Sequence, residues 1–250
     1  MKKILIRVGI GLVALLIIGL VAVFLSLDSI VTKGVNTVGP TITKVDTRIS
    51  GAVISPFSGS GSLRKLFVGN PPDYKTSSAI EVDKIEVSVR AGSIFSDKVI
   101  VEKVHVEAPQ ITFEGGLTGN NLSQILANIQ TAAGGASGSK DPAAAKAQKK
   151  LQVNDLLIDG GKIRVTLKGL GGKTVTAPLP EIHLQNLGTG DNGITAADVS
   201  EIIMKEVLRS VLGVVKDVVL GAGGAVEDVG KGAVNRGQKA VKGLKDLFKP

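Results

Sequence analysis

Apolar residues recur along this chain with two different periods, and the change from one to the other predicts where helices give way to strands. An uncharged run from Val8 to Ser26 comes first. At a rise of about 1.5 Å per residue it approaches the roughly 30 Å hydrocarbon core of a bilayer. From Thr41 onward apolar and polar residues alternate over short stretches, as in half-buried strands. Ile80 and Val82, then Ile85, Val87 and Val89, lie on one face, with a phase slip at Asp83–Lys84 that predicts a bulge or bend. Val99, Val101, Val104 and Val106 repeat the pattern with a slip at Glu102–Lys103. Ile111 and Phe113 continue it beyond Pro109, whose missing N–H suits an edge or a break between strands.

The stretch from Val99 to Glu114 matches that from Leu151 to Thr166 in apolar spacing, and each reads as strand, turn, strand. Between them the sequence predicts a short helix from Asn121 to Gln130 and then, from Thr131 to Lys150, a flexible linker rich in Ala, Gly, Ser and Lys. Val175 to Leu187 is a further strand candidate, interrupted by Pro178 and Pro180. Thr195 with Asp198 makes a helix start, followed by Val199, Ile203, Val207, Val211 and Val215 at helical spacing. After the glycines at 221–224 a weaker amphipathic segment carries Lys231, Arg236, Lys239, Lys242 and Lys245, which are candidates for contact with a membrane surface.

Composition narrows the chemistry. The 250 residues are 43% hydrophobic but only 3% aromatic, without Trp, so the core must be built from Val, Ile and Leu, which favours strands. A net charge of +8 admits anionic partners, yet scarce aromatics argue against nucleic acid, whose bases need stacking platforms. Without Cys there is no disulfide, thiol catalysis or thiolate metal site. Lys2, Lys3 and Arg7 precede the apolar run and the next basic residue is Lys33, which places the N-terminus in the cytoplasm and the bulk of the chain across the membrane. No small-x-small cleavage site follows the run, so a retained anchor is expected.

Motifs with catalytic associations are weak. Gly172-Lys173-Thr174 lacks the earlier glycine of a phosphate loop, Leu167 standing in its place. Gly188 to Gly193 satisfies G-x-G-x-x-G, but no strand follows to complete a βαβ unit, which favours a glycine-rich turn. His105 and His183, the only two histidines, sit at alternating strand positions without further metal-ligand spacing. No nucleophile and base pair stands out, so neither an enzyme nor a metal or cofactor is expected.

Ser55 to Tyr74, with its Gly-rich strand ending in Val68-Gly-Asn-Pro71, resembles the N-terminal region of AsmA-like proteins. The order of a membrane helix, a Ser-Pro strand, the Gly-rich strand and further alternating strands agrees. So do Ser93-Ile94-Phe95, Ala108-Pro109 and Asn120-Asn-Leu122. The resemblance covers about Met1 to Gln130 and implies a twisted, taco-like antiparallel sheet, related to bridge-like lipid-transfer proteins, anchored in a bacterial inner membrane and facing the periplasm.

The expected organisation is mainly β with α: an anchor over 1–27, an AsmA-like β-rich region over 28–130, a linker over 131–150, a continuation of the sheet over 151–193, and an amphipathic, basic helical tail over 194–250. The expected function is binding or assisted transfer of phospholipid in envelope biogenesis, with Ile80, Val82, Val87, Val89, Val101, Val106, Ile111 and Phe113 as the lipid-facing residues. Strands stacked about 4.8 Å apart would number dozens in a bridge between membranes, more than this chain supplies. The alternative is an envelope scaffold or assembly factor whose apolar face is closed by its own helix, with other envelope proteins or further copies of the chain as partners. An open groove favours lipid and a sealed one favours the scaffold.

Overall fold

A computed structural model of the chain describes residues 26–137, 149–166 and 174–220. Helix α1 covers 26–43. It is followed by β1 (Thr47–Arg48), β2 (Gly51–Ser55), β3 (Ser60–Gly69), β4 (Ser78–Val89), a 3-10 turn (Ala91–Phe95), β5 (Lys98–Glu107) and β6 (Gln110–Glu114). Helix α2 (Asn121–Ser137) leads to β7 (Lys150–Asp159), β8 (Lys162–Thr166), β9 (Thr174–Pro178) and β10 (Ile182–Leu187), and α3 (Ala196–Leu220) follows. Among the described residues no helix is long and apolar enough to cross a membrane. The expected anchor at 1–27 falls almost wholly outside them, as do the glycines at 221–224 and the basic candidates Lys231, Arg236, Lys239, Lys242 and Lys245.

All ten strands belong to one sheet. Several are halves of longer lines. β5 faces β4 from Lys84↔Glu107 and β6 faces the same strand at Glu81↔Gln110, so β5 and β6 form one line broken at Ala108–Pro109 without loss of register. β7 and β8 form the next line, and β10 and β9 pair with them in turn. The two matched sequence segments lie side by side: Val99 faces Leu151 and Glu114 faces Thr166 in parallel pairing. This corrects two expectations. The segments are not hairpins, since each continues in one direction through its break, and the sheet is mixed rather than antiparallel. The parallel pairing follows from the chain between them, which carries α2 back over the sheet, as a parallel crossover requires.

Two rows of irregularity cross the sheet. At the first, Lys65, Ala108 and Gly160 take left-handed φ of 50°, 50° and 63°, and the ladder skips from Lys84 to Val82 beside them. Gly160 suits that backbone, and neighbouring Gly161 is needed for space, since a Cβ there would lie 2.8 Å from Leu179 and 2.9 Å from Pro109. At the second, the register shifts at Ser88/Val89, the β5–β7 ladder skips Glu102 and Lys103, and Asn186 adopts φ 58° in β10. These rows are the phase slips seen in the sequence. Such bulges bend strands and sharpen twist, and repeating them strand after strand turns a local kink into a crease.

Helix α1 protects one edge. Asn36 accepts a hydrogen bond from the Ile49 N–H at 2.8 Å and donates to its carbonyl at 3.2 Å, while Asp28 accepts from the Ile54 N–H at 2.8 Å. These side chains occupy backbone groups that an edge strand would otherwise offer to another chain. Helix α2 starts on reciprocal bonds between Asn120 and Ser123, and α3 on a capping box in which Thr195 and Asp198 bond each other's N–H. The expected linker over 131–150 is corrected at both ends: α2 runs on to Ser137 and β7 begins at Lys150, leaving 138–148 outside the described residues.

Candidate functional site

Strand register gathers the apolar candidates on one face. Val68, Ile80, Ile111, Ile163 and Ala177 stand in a row across β3, β4, β6, β8 and β9, with Phe113 beside Val165 in the next row. Beyond the first crease, Leu63, Ile85, Val106, Ile158 and Ile182 form another row, then Val87, Val104, Leu156 and Leu184, then Val89, Val101 and Val153. Val82 pairs with Leu66 next to the crease. Alternation alone thus grouped residues that share one face of the sheet, because each slip is matched in the neighbouring strand.

The face is covered over β6, β7 and β10. Helix α2 lays Leu122, Ile125, Ile129 and Ala133 toward the core, and α3 lays Met204, Val207, Val211 and Val215, each series stepping three or four residues. Helix α2 meets β6, α3 meets β7 and β10, and the two helices pack on each other. Ile111, Phe113, Val82 and Val101 are buried, Phe113 completely. Ile80, Val87, Val89 and Val106 are half-buried and pack against the same core. With α2 and α3 in place, Ile111 and Phe113 are closed to solvent. Among the described residues every buried side-chain nitrogen and oxygen has a hydrogen-bond partner, so no orphaned polar group waits beneath the helices for a ligand.

A polar clamp holds the end of the sheet where α2 begins. The Asn70 side chain donates to the Thr76 and Ser78 carbonyls, and its oxygen accepts from Asn121 at 2.7 Å. Fully buried Asn121 also donates to the Thr112 carbonyl and accepts from the Glu114 N–H. Glu114 in turn accepts from the N–H groups of Lys75 and Thr76 and from the Thr76 hydroxyl. The Val68-Gly-Asn-Pro71 segment therefore works as structure, with Asn70 pinning the β3–β4 loop to α2. Sequence reading placed Asn70 in a motif, Asn121 at a helix start and Glu114 on a solvated sheet surface, and it did not connect them with one another or with Thr76, because most of these partners lie far apart along the chain.

Burial is the largest influence on the Glu114 carboxyl and pushes it up, but its three hydrogen bonds together outweigh burial and hold it below the ordinary value of 4.5. A lowered carboxylate contributes stability that is fully present above the unfolded value and is lost as pH falls through the folded one. Glu114→Gln should therefore be less stable than the parent at pH ~7 and converge with it at an acid pH below the lowered folded value, where both side chains are neutral. Denaturant titrations of the solubilised chain at the two pH values check this. An equal deficit at both would point to lost packing instead.

On the outer face the two histidines flank Leu157 of β7, and each meets an aspartate of that strand. His105 lies 3.1 Å from Asp159, and His183 lies 2.5 Å from Asp155. The His183 hydrogen bond is the main reason that the Asp155 carboxyl sits below its ordinary value. Both pairs are solvent-accessible, and among the described residues no group of three or more potential ligands is placed to hold a metal. Nearby, Ser60, Ser62, Lys84, Glu86, Lys103 and His105 line a solvent-open depression of about 420 Å³. Gly188 to Gly193 forms a turn against Leu151, with the Gly193 N–H donating to the Gly190 carbonyl.

Compared with known proteins, the chain matches no protein-family model. No curated protein matches it either.

Proposed function

We propose that the chain is an AsmA-like module, anchored by its N-terminal apolar segment in a bacterial inner membrane, that serves the periplasmic envelope as a scaffold or assembly factor with a closed core. The observation that carries this reading is the seating of α3, whose Val211 and Val215 are fully buried against the core that contains the candidate lipid face. The sheet edges add support. One is occupied by Asp28 and Asn36 of α1, and the other is interrupted by Pro178 and Pro180 and by left-handed Asn186. Such edges disfavour the strand-by-strand growth that a lipid bridge would need. The function requires no catalytic residue, and its partners are other envelope proteins or further copies of the chain.

A second reading keeps phospholipid as cargo. Its support is topological: among the described residues α3 joins the sheet only through the connection after β10, so a hinge there would uncover Leu156 and Ile182 for an acyl chain. Burying apolar lipid surface there returns about 25 cal/mol per Å².

The absence of Cys allows a direct test in cells. With a membrane-impermeant maleimide applied from outside, Lys103→Cys on the exposed face should label and Leu156→Cys on the inner face should be protected. Equal labelling of both would indicate an open groove, and protection of both would contradict the orientation.

A further inference from the structure

One end of the sheet carries large apolar side chains exposed to water. The β2–β3 turn and the 3-10 turn after β4 meet there, joined by the Val89 N–H bonding the Gly59 carbonyl at 2.7 Å. The chain has six phenylalanines, and two of them, Phe57 and Phe95, project from these turns with 91% of their surface exposed. Ile94 beside them is 41% exposed. Single exposed apolar residues are ordinary, whereas large ones gathered at one end mark a surface suited to an apolar environment.

The turn that carries Phe95 is tightly held. Ser93 donates to the Arg90 carbonyl and accepts from the Ile100 N–H at 2.8 Å. The Lys149 ammonium donates to the carbonyls of Ile94 and Ser96 at 2.8 and 2.9 Å. These bonds fix a short turn so that its aromatic side chain points away from the protein.

The course of α1 shows which end the chain enters from. Asp28, in its first turn, bonds Ile54 next to the β2–β3 turn, whereas Asn36 bonds Ile49 further along the edge. The helix therefore leads away from the aromatic end, and the chain enters the described region at that end, directly after the uncharged run from Val8 to Ser26.

We infer that Phe57, Ile94 and Phe95 dip into the outer-leaflet interface of the membrane that holds the anchor, so that the sheet stands on the bilayer by its loops as well as by its N-terminal segment. The inference rests on the anchoring part of the proposed function and is independent of whether the core carries lipid. Aromatic side chains favour the boundary between headgroups and acyl chains, and a lysine beside them suits the same depth. Without the loops an anchor fixes only a distance; with them it also fixes the tilt of the sheet.

Full-length chains with one cysteine each, Phe57→Cys, Phe95→Cys and Leu117→Cys, test this after labelling with an environment-sensitive fluorophore. They are reconstituted in phosphatidylcholine vesicles containing some phosphatidylglycerol and a lipid with a nitroxide on its acyl chain. Leu117 is also exposed, at 48%, but lies at the far end of the sheet, roughly 35 Å away by strand rise. Lipid quenching at 57 and 95 should exceed that at 117 by about threefold or more. If the protein floats with vesicles but quenching is equal at all three positions, the inference fails and the anchor stands. Shielding from water at 57 and 95 without lipid quenching would assign the patch to a protein partner and also overturn it. Failure to float would remove the anchor and this inference together.

Discussion

Replacing Phe113 by alanine should lower the unfolding free energy by about 3–5 kcal/mol. The ring has no exposed surface, stands beside Val165 in the parallel β6–β8 pair, and belongs to the core that includes Leu122 and Ile125 of α2. Truncating it removes transfer free energy and leaves a hole that neighbours on a regular sheet are poorly able to fill. Phe95→Ala is the matched control: the same chemical change at a position 91% exposed should shift stability by less than about 0.5 kcal/mol. Denaturant unfolding of the full chain in detergent, followed by far-ultraviolet circular dichroism, compares the two. Similar values would mean that the face carrying Phe113 is not packed as described.

Val211→Asp should release α3 while leaving most of the sheet folded. Val211 is fully buried, and a carboxylate placed there has no basic side chain on the α3 surface that faces the core. Burying such a charge costs several kcal/mol, which favours detaching a single helix over keeping the carboxylate in the core. Hydrogen exchange should accelerate by orders of magnitude across Ala196–Leu220 and change little in β4 and β5. Binding of an apolar dye should rise, since rows such as Leu156 and Leu184 become accessible. If β4 and β5 lose protection together with α3, the helix is an integral half of the fold rather than a cover.

The strands were legible in the sequence wherever one face is buried and the other wet. Alternation in Ile80–Val89 and Val99–Val106 marked the apolar face, and the slips at Asp83–Lys84 and Glu102–Lys103 marked both creases. Pro109 and Pro178 marked breaks, and Thr195 with Asp198 marked the start of α3. What failed was the meaning of a break. Ala108-Pro109 and Gly160-Gly161 have the composition of hairpin turns, but a single left-handed residue at each absorbs one position and lets the strand run on. Equal spacing in two segments also carries no information about whether they are neighbours, so the parallel pairing was invisible.

The length of α2 was obscured in another way. Thr131 to Ser137 has the Ala and Gly content of a linker, and its helicity is set by packing, with Ala133 buried as the next step after Ile129. The polar clamp depends on Asn70 meeting Asn121 and on Glu114 meeting Lys75 and Thr76. Those meetings exist only once the sheet has formed, and short motifs do not encode them. The candidate face was therefore readable from local alternation, whereas its cover, which decides between groove and core, was a tertiary fact.

That distinction is tested most directly by a diazirine-bearing aliphatic residue introduced at Leu156, in the inner row shared with Val104 and Leu184. After illumination of cells, the closed-core account predicts adducts within the same chain, to α3 peptides between Met204 and Val215. A phospholipid adduct as the main product would contradict it.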